Sequence, residues 1–471
     1  MRDLWAAQYG PQMARVLLIN PPAPGRAVLR DYACGETTKA DYLWAPIDLL
    51  VLSGLLDAAH ELHVIDAVAE EIDSAETLRR ARAFAPDAVF SLTAAVSLDH
   101  DDAFLASLKE STGARIYGLG DVASFAPVET LARTRSFDGL VQNFADPTLI
   151  DLADGRTDGA RSVVLRNGKD ADVRMVRTDG VLQYGMPRHD LFPLHRYRLP
   201  FTRWRSSTTV LTRYGCPFPC TFCNSRYLPG PERALDDVIE ELERVQQLGV
   251  SEVYIRDFTF GPTRRRAQEI CRRMIDAGLR LHWSAECRLE VLDEETLELM
   301  SQAGCEVILV GIETGDEEVA VRLGKSLQAS RVHRILGKAR SLGIRACGHF
   351  VLGSPEETRE QIESTIRLAR ALPLDYASFN LYAPRLATDM RRRLIEEGRV
   401  RSDNFSDQDV SLQANSFARM ETTELRRLFR WAVISFFMRP RHVFRLLRCT
   451  PWSTLARQGG GVVRGLLEAR G

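Results

Sequence analysis

Cys216, Cys220 and Cys223 stand within eight residues in the spacing CxxxCxxC, with prolines at 217 and 219. Proline fixes φ and holds so short a loop in a set curve, which lets three thiolates turn onto one iron–sulfur cluster. A cubane needs four ligands, so three leave one iron open. An open iron can bind and reduce a small molecule, whereas a fully ligated cluster mainly passes electrons. The competing reading is a structural zinc knuckle with its fourth ligand elsewhere. Such sites pair CxxC with a second CxxC or an HxxxH, and the chain has neither.

A loop that holds a cluster needs a rigid frame. From Thr208 the sequence runs in strand–helix repeats, with strands expected near 208–213, 251–256, 280–284, 306–310, 344–351 and 374–381 and a helix after each of the first five. Six such units within residues 201–385 make an open, partial (β/α)6 TIM-like barrel. Parallel barrels carry their chemistry at the carboxyl ends of the strands. The cysteine loop after the first strand is therefore expected to share one mouth with Asp257, Arg288, Gly311, Glu313 and Val351, at the ends of the next four. Taken singly, an Asp, Arg or Glu at a strand end serves as a helix cap or a surface ion pair as readily as a ligand.

With the aromatic Phe222 just before its last cysteine, and following Thr208-Thr-Val-Leu-Thr-Arg-Tyr-Gly215, the motif resembles the signature of the radical S-adenosyl-L-methionine (SAM) enzymes. The resemblance implies that Cys216, Cys220 and Cys223 hold a [4Fe-4S] cluster whose fourth iron binds the amino and carboxylate groups of SAM. Electron transfer into the sulfonium then yields methionine and a 5′-deoxyadenosyl radical. It further implies SAM contacts from Phe222 and Gly311, from Asp257 to the ammonium, Arg288 to the carboxylate, Glu313 to the ribose hydroxyls, and Val351 on the adenine-contacting strand.

Ahead of the barrel, residues 1–155 alternate short apolar runs (16–20, 62–66, 88–92, 115–118, 139–141) with helical periodicity near 47–59, 75–84, 101–110 and 126–134. This pattern predicts an α/β domain, Rossmann-like (flavodoxin-like), with a parallel sheet covered on both faces. Ligands of such sheets sit beyond the carboxyl ends of the strands. The residues there are Asn20, Thr93, Ala94, Gly118, Gly120 and Asp121, where small residues let a bulky ligand approach the backbone. No GxGxxG follows the first strand, which disfavours a dinucleotide.

Placed before the barrel, this domain is similar to the cobalamin-binding domain of the cobalamin-dependent radical SAM branch, on Leu17-Leu-Ile-Asn-Pro-Pro22 and Ala45-Pro-Ile-Asp-Leu-Leu50. The DxHxxG motif of classical cobalamin domains is absent, so the resemblance implies a cobalt without a histidine below it. Gly118-Leu-Gly-Asp121 and Gln142-Asn-Phe-Ala145 replace that branch's glycine-rich signatures. A domain of this fold that has lost the cofactor is the alternative.

Residues 156–200 carry Asn-Gly and Asp-Gly turns and are expected to form a linker with small hairpins, His195 lying on the surface. Residues 386–471 are expected to be a helical region, with helices at 389–397 and 421–438. Pro440-Arg-His-Val-Phe-Arg-Leu-Leu-Arg448 then alternates basic and apolar residues, as a helix on anionic lipid or one packed on the barrel would.

Across 471 residues, 62 basic and 63 acidic side chains nearly cancel, which gives no general attraction for nucleic acid. Six scattered cysteines, Cys34, Cys271, Cys287, Cys305, Cys347 and Cys449, form no disulfide framework and fit a reducing cytoplasm. No signal pattern and no apolar run of about 20 residues occurs, so the protein is expected to be cytoplasmic, at most peripheral to a membrane.

The resemblance implies C-methylation of an unactivated carbon on a small-molecule or lipid-like substrate, with electrons from an external donor such as flavodoxin or ferredoxin. Relatives use the same cofactors for ring formation or rearrangement, which is the enzymatic alternative. A cobalamin or redox sensor is the non-enzymatic one, and a sensor needs no complete barrel. Methylthiotransferases carry extra cysteines in the first domain that this chain lacks.

Overall fold

The computed structural model describes residues 13–23, 28–30, 43–166, 181–199, 206–228, 230–326, 328–408 and 416–440. The five apolar runs of the first third form parallel strands β1 (Arg15–Asn20), β2 (Glu61–Asp66), β3 (Ala88–Leu92), β4 (Arg115–Leu119) and β5 (Gly139–Val141). Their order β2-β1-β3-β4-β5 is flavodoxin-like, with the carboxyl ends on one edge. A sixth strand, β6 (Val163–Leu165), pairs antiparallel with β5. It falls where small separate hairpins were expected. Its central Val164 joins the sheet's core, and the pairing covers an edge that would otherwise offer bare N–H and C=O groups.

A two-residue strand, β7 (Val181–Leu182), pairs with β9 (Glu232–Arg233). The barrel sheet consists of β8 (Ser207–Val210), β10 (Glu252–Ile255), β11 (His282–Cys287), β12 (Cys305–Glu313), β13 (Arg345–Leu352) and β14 (Tyr376–Leu381), all parallel and in chain order. Side chains alternate across each strand. Val253, Ala285, Val310, Phe350 and Phe379 enter the core beneath the helices. The positions between them, among them Tyr254, Ser284, Glu286, His349, Ser378 and Asn380, therefore face the lumen and make it polar.

The connector is packed rather than a spacer. The Arg188 N–H donates to Ser53 Oγ at 2.9 Å, and a Cβ on Gly54 would stand 2.2 Å from the Gly185 carbonyl oxygen. His189 is fully buried between Thr208 Oγ1 and Glu241 Oε1, each 2.9 Å from a ring nitrogen. Glu241 also pairs with the buried Arg233. Tyr197 donates to Asp66 Oδ2 at 2.8 Å, which ties the connector to the end of β2. His195 is exposed, as expected.

Helices Asp389–Glu396 and Thr422–Phe437 lie close to the expected positions. Phe436 of the second packs edge-on to Phe379 of β14, 6.2 Å between ring centres. Leu386 and Phe405 join the core on the far face of the first sheet. Residues 441–448 of the basic segment lie outside the described residues. Among the described residues, no helix is long and apolar enough to cross a membrane.

Candidate active site

The cysteine loop leaves the carboxyl end of β8 and is held from two sides. Within it, the Cys216 N–H donates to the Ser225 carbonyl at 3.2 Å and the Cys223 N–H to that of Cys220 at 3.3 Å. From outside, the turn ending helix Glu317–Arg322 lies flat on it. The Thr221 N–H donates to the Leu323 carbonyl at 3.2 Å, and the Thr221 hydroxyl to that of Arg322 at 2.8 Å.

Each sulfur has a polar neighbour. Cys216 Sγ lies 3.6 Å from Thr259 Oγ1, Cys223 Sγ 3.0 Å from Ser225 Oγ, and Cys220 Sγ accepts from Arg288 Nη1 at 3.1 Å. Burial pushes the Cys220 thiol above its ordinary value, while Lys325 and then Arg288 pull it back. Burial likewise raises Cys223 against the Ser225 hydrogen bond. Such donors suit thiolate ligands. Among the described residues, no three His, Cys, Asp or Glu side chains are gathered closely enough to hold a single ion. A cubane binds each thiolate through its own iron.

The strand ends converge on this loop, each with its own geometry. Arg288 stacks 4.1 Å over the Phe218 ring and pairs with Glu290 at 2.8 Å, so its guanidinium is fixed at the mouth. Phe222 and Val351 pack together with the cluster of Tyr382, Leu394, Val400 and Phe417. Glu313 is nearly buried, and its Oε1 accepts from Lys325 Nζ at 2.8 Å, leaving Oε2 for a hydroxyl. Lys325 also donates to the Gly311 carbonyl at 2.8 Å. Burial disfavours the Lys325 charge, but the Glu313 carboxylate holds the ammonium above its ordinary value.

Two of the expected ligand residues are engaged within the protein. Asp257 Oδ1 accepts from the Thr212 and Arg213 N–H groups at 2.7 and 3.1 Å, and its Oδ2 from the Thr212 hydroxyl. It clasps β10 to the root of the cysteine loop, and burial pushes it up to about 6 despite those bonds. Gly311 makes room for the ion pair, since a Cβ there would stand 2.4 Å from Glu313 Oε1 and 2.7 Å from Lys325 Nζ. Lys325 itself escaped the sequence reading. Its signal was a lone lysine in the turn after the short helix Glu317–Arg322.

On the first sheet, several expected ligand contacts are absorbed by the domain. Asn20 donates to Asp66 at 2.9 Å and accepts from the buried Arg30 at 2.9 Å. Asp121 Oδ1 accepts from the Ala95 and Val122 N–H groups at 3.0 and 2.7 Å. Gly118 packs beneath Leu140 and Phe137, and Gly120, at φ +122°, lies where a Cβ would stand 2.1 Å from the Thr93 carbonyl oxygen. The close approach these glycines permit is to the protein itself. Ala94 is fully buried.

What remains open is polar. Thr93 Oγ1, Gln142 Nε2 and Asn143 Nδ2 are buried at the ends of β3 and β5 with no hydrogen-bond partner among the described residues. Unpaired buried donors of this kind cost about 1–3 kcal/mol each, so they fit a polar cofactor laid across the edge. Gln142 and Asn143 stood out in the sequence only as departures from a family signature.

That edge abuts the barrel. The Thr209 hydroxyl donates to the Ala45 carbonyl at 2.9 Å, Trp44 meets Tyr254 edge-on at 5.7 Å, and Phe144 lies 4.5 Å from Tyr214, two residues before Cys216. Arg256 sits 5.3 Å over the Trp44 ring. Leu211, Tyr214 and Leu228 share one apolar core with the first sheet.

Residues 210–369 match the radical SAM superfamily. Over 446 residues the chain is 26% identical to an uncharacterized methyltransferase of Pyrococcus horikoshii, covering 91% of this chain and 94% of that one. It is 24% identical over 378 residues to the anaerobic magnesium-protoporphyrin IX monomethyl ester cyclase of Cereibacter sphaeroides, covering 76% of this chain and 61% of that protein. Among solved structures, the radical S-adenosylmethionine methyltransferase TsrM of Kitasatospora setae, with cobalamin and a [4Fe-4S] cluster bound, superimposes with a TM-score of 0.64 at 18% identity, covering 82% of this chain and 78% of that one. The chain therefore carries a radical SAM domain over residues 210–369, with three cysteines on one loop of it, and shares its fold with TsrM.

Proposed function

We propose that this enzyme methylates an unactivated carbon of a small molecule, using SAM, a [4Fe-4S] cluster on Cys216, Cys220 and Cys223, and cobalamin. The observation that supports this reading is the contact of the two carboxyl edges at Phe144 and Tyr214, one residue after the unpartnered Asn143 and two residues before Cys216. When bound, the cluster supplies the electron that splits SAM and cobalamin supplies a methyl carrier.

In this reading the chain's own groups bind and orient. Arg288 presents its guanidinium to the SAM carboxylate, and Glu313 offers Oε2 to a ribose hydroxyl. Trp44, Tyr254, Phe144 and Tyr214 shield the space between the sheets from water, which protects a radical from quenching. The polar lumen below, with Ser284, Glu286 and His349, receives the substrate. A reducing cytoplasm and an external electron donor such as flavodoxin or ferredoxin go with this chemistry.

Likeness to the protoporphyrin ester cyclase favours a second reading, ring formation with the same parts. Turnover with methyl-deuterated SAM separates the two. Methylation yields S-adenosylhomocysteine and 5′-deoxyadenosine in comparable amounts with label in the product. Ring formation yields 5′-deoxyadenosine while S-adenosylhomocysteine stays at background.

A further inference from the structure

Lys325 occupies a place that the fold maintains at some expense. It is nearly buried, and its ammonium is held by Glu313 Oε1 and the Gly311 carbonyl, both at 2.8 Å. Glu313 adopts a left-handed backbone at φ +67°, which L side chains with a Cβ avoid. A Cβ at position 311 would stand 2.4 Å from Glu313 Oε1 and 2.7 Å from Lys325 Nζ, so a side chain there would displace the pair. A buried ion pair is seldom the most stable filling for such a spot, and strain of this kind gathers at functional sites.

The placement is directed at one cysteine. Gly324, immediately before Lys325, lies against Pro219 and Cys220, and the Thr221 N–H is bonded to Leu323. Arg288 donates directly to Cys220 Sγ at 3.1 Å. Two cations therefore serve the same sulfur, one by a hydrogen bond and one through space.

We infer that Lys325 is a positioning residue that raises the reduction potential of the cluster through its field at Cys220, with Glu313 holding it in place and moderating its charge. The inference rests on the proposed cluster ligation. Reduction adds one electron, taken from an external low-potential reductant, and makes the cluster and its thiolates more negative by one charge. A fixed cation in a water-poor site stabilises the reduced form more than the oxidised one, and an anion does the reverse.

The test is a dithionite titration followed by electron paramagnetic resonance on anaerobically reconstituted wild type, Lys325→Met, Lys325→Arg and Glu313→Gln, with iron counted in each. The expected result is a lower midpoint in Lys325→Met, a midpoint near wild type in Lys325→Arg, and a higher one in Glu313→Gln. Loosened packing alone moves Lys325→Met and Glu313→Gln the same way, so opposite signs separate a field from a fold. If Lys325→Met does not fold, Lys325→Gln supplies the neutral arm of the comparison. Unchanged midpoints at about four irons per chain overturn the inference and leave the cluster standing. A wild type that takes up no iron overturns both.

Discussion

Gly324 lies so close to Cys220 that a Cβ at position 324 would stand 3.3 Å from the Cys220 Cα and 2.5 Å from the Pro219 carbonyl oxygen. Its φ of +71° is also unfavourable to any residue with a side chain. The left-handed conformation costs about 1–2 kcal/mol, and backbone overlap adds about 1–3 kcal/mol. Gly324→Ala is expected to lower both the melting temperature and the iron retained after anaerobic reconstitution. Full iron at an unchanged melting temperature would show that the loop does not lean on this turn.

Asp257→Ala leaves the Thr212 and Arg213 N–H groups without their acceptor in a fully buried place. At about 1–3 kcal/mol for each unpaired group, the loss should be readily seen as a lower urea midpoint. Asp257→Asn keeps an acceptor oxygen and should lose less. Equal losses in the two variants would contradict the clasp.

Glu357 provides a pH signature. Its Oε2 accepts from the Gly353 and Ser354 N–H groups at 2.8 and 2.9 Å, yet burial pushes the carboxyl up to about 7. A folded-state value above the unfolded one means that the folded chain holds the extra proton between the two. This contribution to stability is full below the unfolded value near 4.5 and lost as pH rises through about 7, amounting at most to about 3 kcal/mol. Glu357→Gln should flatten the fall in unfolding free energy between about pH 5 and 7.5, measured by urea titration across that range.

Asn143 allows the cofactor edge to be probed without breaking it. Its Oδ1 accepts from the Ala145 N–H at 3.1 Å, while its Nδ2 is the unpartnered donor. Asn143→Asp keeps the first and removes the second. Loss of one hydrogen bond, about 1 kcal/mol, should weaken cobalamin binding about fivefold by absorbance titration and leave iron content unchanged.

The cysteine loop stood out most plainly in the sequence, because its spacing is local. The strands of both sheets were legible because burial on both faces leaves near-continuous apolar runs. What stayed hidden depends on partners far along the chain. Asp257 looked like a ligand because its position at a strand end is visible, whereas its bonds to Thr212 and Arg213 are not. Gly118 and Gly120 showed in the sequence as small residues at a strand end, but not that Phe137, Leu140 and Thr93 lie against them. Lys325 acquires its place only through Gly311 and Glu313, and His189 through Thr208 and Glu241.

Leu211, Tyr214 and Leu228 belong by sequence to the barrel but by contact to the first sheet's core. A chain cut in the connector would leave both fragments with a raw apolar face, and the barrel fragment would also lose the Thr209 bond to Ala45 and the cover of Trp44 beside its lumen. The cysteine loop begins two residues beyond Tyr214. The barrel half is therefore not a portable module: excised from its neighbour, it would expose that apolar face and be expected to aggregate, and a partner supplied in trans would have to restore that face first.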